Sequence, residues 1–364
     1  MEGLEISLSS SGCVLLVRLR SKRGKQLTLI FLTFLTLFLI PTSVALGWYK
    51  VSLIDVLRVI FTPDNSIVST VVWDLRLRRA LAAVIVGAVL GGSGTAIQAC
   101  MRNPLASPFT FGLSSAASLG VAISLLLMYG GEIRRFQILV PNPFVISISA
   151  FTFSLIQVMI VLLLAYKAGL SPGALVLSAI AISFAYQAIL YLLQYLYLNE
   201  VLISSVIFWT FGDLGRIGWA ELNLVTLTSL LVVIPYFILR SLDYDLILSG
   251  DELARATGVD PQKIRLETSV IAALATALAT SFVGVIGFVC LIAPHAARLI
   301  FGGGHRYLMP ASMIMGSLIL IISDTIGRTI IAPTIIPVGI MTSFIGAPLL
   351  VYLLLKRGSY GYRD

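Results

Sequence analysis

Charge is what this sequence has least of. Asp, Glu, Lys and Arg make up 12% of its 364 residues, about half the share found in a soluble domain. A chain so poor in charge cannot cover itself for water, which excludes a soluble globular protein. Histidine occurs only twice, as His295 and His305, with no carboxylate or thiol at ligand spacing. Zinc sites want three or four such ligands, so no metal site is expected and His295 reads as a structural, hydrogen-bonded residue. The three cysteines, Cys13, Cys100 and Cys290, are odd in number and two sit in apolar runs, so no disulfide framework is implied. Three reaction signatures are also missing: the G-x-x-x-x-G-K-[ST] phosphate loop, H-E-x-x-H and G-x-S-x-G. The chain is therefore expected to carry no cofactor and no catalytic residue of its own.

What it has instead is hydrophobic length. The chain is 58% hydrophobic, with a mean hydropathy of +0.99. Apolar stretches of about 20 residues, enough to cross a bilayer as helices, occur at 26–48, 80–101, 108–130, 144–166, 172–196, 220–240, 308–327 and 337–355. The run 268–297 contains no Asp, Glu, Lys or Arg and is long for one helix, so Gly284 and Gly287 divide it into two spans. The expected fold is an all-α membrane protein of about ten transmembrane helices. It forms one polytopic domain over 26–364, behind a basic cytoplasmic leader over 1–25. The leader does not read as a secretory signal, because the apolar run after it is too long and no small-residue cleavage site follows closely. Ten is even, so both termini share a side. The larger part of the 25 Lys and Arg then falls on that side, the bias that marks the cytoplasm. The net charge of +8 is read as topology, and no nucleic-acid partner is expected.

One polar interruption stands out, DYDLILSGDELARATGVDPQKIR over 243–265. Ser249 and Glu252 have the spacing of a capping box. Gly258 suits a left-handed helix end, and Asp260-Pro261 reads as cap and first residue of the next helix. Between these signals lies a helix of about two turns, too short to stand alone in water. It is either a connector lying on its own protein or a docking element for a cytosolic partner.

Elsewhere, 51–61 has the apolar face of an interfacial helix, and the apolar run 201–211 is too short to span. Small residues recur at four-residue spacing, as Gly87/Gly91/Thr95, Ala88/Gly92/Ala96 and Gly112/Ala116/Gly120, and let helices approach closely. Asp324 and Arg328 are four apart near a span end and read as an ion pair or a functional group. Gln187, Tyr191 and Gln194 share a helix face, which suits an aromatic belt at the membrane interface or the lining of a pathway. Arg76, Arg78 and Arg79 cluster on the side where few cations are expected, which suggests lipid head groups or a partner.

Four stretches carry a family likeness: WDLRLRRALAAVIVGAVLGGSGTAIQACMRNPLASPFTFG (73–112), the 250–258 loop, GVIGFVCLIAPHAARLIFGGGHR (284–306) and SDTIGRTIIAPTIIPVGIMTSFIGAPLLVYLL (323–354). In this order the chain resembles the permease family of ABC importers for iron-siderophores, haem and vitamin B12. The resemblance implies the membrane subunit of an ATP-driven importer in a prokaryotic cell membrane. A second copy of the chain, two cytosolic ATPase subunits that bind the ATP, and an extracytoplasmic substrate-binding protein would be its partners. It implies that Gly250, Asp251, Leu253, Ala254, Arg255, Ala256 and Gly258 form the ATPase-coupling segment. Arg76, Arg79 and Arg328 would dock the binding protein. Ser171, Pro172 and Gly173 would form an inner gate, with Gln187, Tyr191 and Gln194 along the conduit. This sequence departs from the family pattern at Arg78, where proline is usual, and at Asp213, Cys290 and Ile335. An ion-coupled secondary transporter is the rival class, but it needs carboxylates near the bilayer midplane, and the spans carry almost none.

Overall fold

The computed structural model describes residues 21–129 and 143–357. Most of the expected leader, with Cys13, lies outside the described residues. Among the described residues every regular element is helical. They are α1 (Lys22–Ala45), α2 (Leu53–Phe61), α3 (Ile67–Met101), α4 (Leu113–Tyr129), α5 (Pro143–Lys167), α6 (Pro172–Tyr197), α7 (Glu200–Thr210), α8 (Trp219–Leu239), α9 (Ser241–Ser249), α10 (Asp251–Ala256), α11 (Pro261–Val283), α12 (Val289–Phe301), α13 (His305–Thr329) and α14 (Val338–Arg357).

All ten expected spans are present as helices. Seven of them, α1, α3, α5, α6, α8, α11 and α13, are long and apolar enough to cross a membrane, while α4, α12 and α14 are shorter apolar helices. The division of the long apolar run falls where the glycines placed it. Helix α11 ends at Val283, Gly284 turns with φ +79°, and α12 starts at Val289. Helix α7 is the short one expected at 201–211, capped by Asn199, whose side chain accepts from the Leu202 amide. Helix α2 is capped by Ser52, and Trp73 Nε1 donates to Val59 O at 3.1 Å to hold it on the bundle. Val56 and Val59 face inward, while Ile54 and Phe61 stay 79% and 81% exposed. The outward face is therefore apolar, as an interfacial helix requires.

The core is built on α3, which is buried along most of its length from Arg79 onward. It crosses α13 where two glycines meet. A Cβ on Gly87 would fall on the Gly316 carbonyl, and one on Gly316 would fall on the Gly87 carbonyl. Gly91 meets the Ser312 carbonyl and Gly94 the Cys290 carbonyl in the same way. The small residues at four-residue spacing thus set backbone contact, as in membrane helix pairs generally. A second close contact joins α4 to α5, where Ser149 Oγ donates to Gly120 O at 2.6 Å. Helices α1 and α6 lie at the other extreme. Phe31, Phe34 and Phe38 of α1 and Leu177, Phe184 and Tyr195 of α6 are exposed, which suits a lipid solvent or another membrane subunit.

Candidate functional site

Arg79 and Met101 are 22 residues apart on α3, so the helix separates two polar ends by about 33 Å. At the Met101 end lies the polar interruption. Helix α9 runs to Ser249, Gly250 turns with φ +128°, and α10 occupies six residues. Gly258 takes φ +87°, and Asp260 caps α11 by accepting from the amides of Gln262 and Lys263. The expected capping box does not form. Ser249 is itself the last residue of α9 and donates its hydroxyl to Asp245 O at 3.0 Å. A helical residue cannot take the extended backbone that an N-cap needs, so α10 begins at Gly250 with no side-chain cap.

What holds α10 is ionic. Arg265 Nη1 and Nη2 donate to Asp251 Oδ2 and Oδ1 at 2.8 and 2.6 Å, a bidentate fork. Arg265 Nε donates to Cys100 O at 3.0 Å, and the side chain is only 2% exposed. Arg102 reaches the same carboxylate from the other side through Nη2, while its Nε donates to Ile247 O at 2.8 Å. The hydrogen bonds from Arg265, with the charge of Arg102 beside them, hold the Asp251 carboxyl below the usual carboxylate range. In the 250–258 segment, Ala254 is fully buried, whereas Glu252, Leu253, Arg255, Ala256 and Gly258 are exposed. Of the seven residues expected to couple, Ala254 therefore forms the seat and Asp251 the anchor. The outward surface is made by Leu253, Arg255, Ala256 and Gly258, and Gly250 is half-buried. Close by, Asp245 caps α13. It accepts from the His305 amide at 3.0 Å and lies 2.6 Å from His305 Nδ1.

The other end of α3 holds the arginines expected to dock a partner, and here they are buried. Arg76, Arg79 and Arg328 are only 7%, 5% and 7% exposed. Arg79 Nε donates to Asp324 Oδ1 at 2.5 Å, and its Nη1 pairs with Asp213 at 2.8 Å. Arg328 Nε donates to the second Asp324 oxygen at 2.9 Å, and its Nη2 reaches Ser43 O at 3.0 Å. Arg76 donates to Val44 O at 2.9 Å and Tyr49 O at 2.6 Å, satisfying carbonyls at and just beyond the end of α1. These guanidiniums tie α1, α3, α13 and the 212–218 turn together instead of standing free on a rim. The cause is local. Helix ends leave carbonyls without partners, and two carboxylates at this depth need counter-charges. Asp213, a departure from the family pattern, is one of the two. Among the described residues, Lys50, Arg58 and Arg216 are exposed cations at this end.

The expected gate lies where α6 begins. Ser171 caps α6 by accepting from the Ala174 amide at 3.2 Å, Pro172 is its first residue, and Gly173 has open space around it. Gln262 Nε2 donates to Gly169 O at 3.3 Å, which links the turn before α6 to the start of α11. Along α6, Tyr191 is 61% exposed and Gln187 and Gln194 are half-buried. An open apolar cavity of about 550 Å³ lies between the end of α7, the 285–287 segment and α14, with Phe211, Val285, Ile340 and Phe344 in its wall. No group of three His, Cys, Asp or Glu that could hold a metal occurs among the described residues. Arg102 and Arg265 were missed by the reading of the sequence. The available signal was a cation just after one span and another just inside the next helix, flanking the polar interruption.

The fold and these ends define a multi-pass membrane permease. The FecCD transport family matches residues 35–356, and the chain belongs to that family. It is 39% identical over 334 residues to a Methanocaldococcus jannaschii protein assigned as an ABC transporter permease, covering 91% of this chain and 95% of the relative. It is 31% identical to the Fe(3+)-citrate import system permease protein YfmE of Bacillus subtilis, covering 92% of this chain and 96% of that one. It is likewise 31% identical to the hemin transport system permease protein HmuU of Yersinia pestis, covering 91% and 96%. A solved ABC transporter described as of metal-chelate type, in an inward-facing conformation, aligns with a TM-score of 0.76 at 26% identity. The alignment covers 91% of this chain and 99% of that one.

Proposed function

We propose that the chain is the transmembrane subunit of an ATP-driven importer for a metal chelate or a corrinoid. The metal-chelate part of this cargo class rests on the ferric citrate and haemin named for its relatives, and the corrinoid on the family resemblance. In this reading two copies of the chain enclose a conduit in the lipid bilayer, and two ATPase subunits bind and hydrolyse ATP beneath the 250–258 segments. A substrate-binding protein delivers cargo at the opposite end. Gln187, Tyr191 and Gln194 of α6 line the conduit, and the turn at Ser171, Pro172 and Gly173 is its inner gate. Docking of the binding protein uses the surface around the outer arginines. Lys50 and Arg58 supply free charge there, and Arg76, Arg79 and Arg328 hold the surface in shape.

The single observation that carries the ATPase contact is the build of α10. It is a six-residue helix with a buried seat at Ala254 and an outward row of Leu253, Arg255 and Ala256. A half-exposed leucine on a non-membrane helix suits a protein partner. The ion-coupled alternative needs a carboxylate free to take a proton or cation, and Asp324 is held by Arg79 and Arg328 at once. The test is co-purification of the ATPase subunit with the permease. Leu253→Asp should abolish it while leaving the permease folded in detergent. Undiminished co-purification would reduce α10 to a connector.

A further inference from the structure

Asp251 sits where four helices converge. It opens α10. Arg265 reaches it from α11 and, through Nε, also grips Cys100 O on α3. Arg102, one residue beyond α3, reaches it as well and grips Ile247 O on α9. Arg102 adopts φ +49° to do so, in the left-handed region that non-glycine residues seldom occupy. Its amide and that of Asn103 close the end of α3 onto Ala99 O and Gln98 O at 3.2 and 3.1 Å.

The flanks of α10 point the other way. Gly250 and Gly258 both have positive φ, and a Cβ at either would meet nothing within 4 Å. A six-residue helix has no stability of its own, and the buried seat at Ala254 alone would leave it free to turn about that point. The planar Arg265 fork removes that freedom, because two parallel hydrogen bonds fix the orientation of a carboxylate as well as its position.

We infer that Arg102 and Arg265 are positioning residues that fasten α10 to the inner end of α3, so that a push on α10 is delivered to α3. The inference rests on the proposed role of 250–258 as the ATPase contact. Helix α3 is the element that carries the inner clasp at one end and Arg76 and Arg79 at the other. A displacement entering there reaches the core crossing with α13, whereas one entering through the 257–260 turn alone would reach α11 first.

Hydrogen exchange on the assembled permease–ATPase complex tests this, with and without a non-hydrolysable ATP analogue and Mg²⁺. In the native complex the analogue should change exchange at both 251–259 and 98–106. In Arg265→Gln the response at 98–106 should fall about fivefold or more, in the range of ordinary coupling between sites, while 251–259 still responds. Arg265→Lys, with the charge but not the fork, should recover part of it. A response at 98–106 that persists undiminished in Arg265→Gln overturns the inference, even if 251–259 exchanges faster at rest. If Arg265→Gln does not fold, Arg102→Gln removes the more exposed arm and should give a smaller reduction, and no reduction there is equally fatal. Absence of any nucleotide response at 251–259 in the native complex, with co-purification surviving Leu253→Asp, would instead locate the failure in the contact reading.

Discussion

The two ends of α3 solve the same electrostatic problem in opposite ways. At the end that the proposed function puts outside, two carboxylates, Asp213 and Asp324, meet the guanidiniums of Arg79 and Arg328, and Asp324 is sealed from solvent. At the end it puts inside, one carboxylate, Asp251, takes two guanidiniums and remains a third exposed. The outer cluster joins helices that are packed in any case, so its charges complete a closed structure. The inner cluster joins a six-residue helix whose other anchor is the buried Ala254. Buried ion pairs are costly to break once formed, whereas partly exposed ones exchange with water at modest cost. The outer end therefore reads as fixed masonry and the inner end as a joint.

Removing Asp324 should break this comparison most severely. Asp324→Ala leaves Arg79 with only Asp213 and Arg328 with no carboxylate. It should cost about 3–5 kcal/mol, the usual penalty for orphaning a buried charge, read as lost folded protein in a detergent denaturation series. Reversal of Arg76 and Arg79 to Glu should lose fold to a similar degree, equally at low and high salt. A loss below about 1 kcal/mol in Asp324→Ala, or a folded double variant with salt-dependent docking kinetics, would return these arginines to the rim.

Acid should sharpen the contrast at the inner end. The Asp251 carboxyl is held below its ordinary value by Arg265 first and Arg102 after it. Its contribution is thus complete above the unfolded value of about 3.9 and is lost as pH falls through the lower folded value. Pepsin cleavage beside Leu253, normalised to a free peptide, should accelerate only below about pH 4. Acceleration beginning near neutrality would mean that the carboxylate does not hold the helix. The smallest structural effect is expected on α6. Tyr191→Cys should leave stability unchanged and react with aqueous thiol reagents to an extent that varies with nucleotide state. Constant protection would place this face against lipid or protein instead of a conduit.

Span number, the division at Gly284 and Gly287, the short helix before Gly258 and the cap at Asp260 were all legible, because each depends on neighbours within a few residues. The failures share one cause. Ser249 and Glu252 have capping spacing, but the spacing says nothing of the helix that already contains Ser249. Arg79 finds Asp324 across 245 residues and Arg102 finds Asp251 across 149, separations over which periodicity carries no information. An arginine near a span end looks like a surface charge until its partner is known. Asp213 held the clue, as a carboxylate that departs from the resembled pattern, but only the fold supplies its partner. Ala254 was grouped with its exposed neighbours because a small residue serves equally as a contact and as a seat.

The crossing of α3 and α13 has a consequence for how this sequence can drift. Gly87 and Gly316 each lie against the other's carbonyl with no space for one more carbon. The gentlest substitution in the genetic code's reach, glycine to alanine, is there a wedge driven between two beams, and neither helix can shift without dragging Gly91 into Ser312. Gly303 and Gly304, immediately before α13, have nothing within reach of a methyl group. In a saturation library the two kinds of glycine would separate at the first added atom. Alanine would be depleted at the crossing and tolerated in the loop, though all four positions look alike on the page.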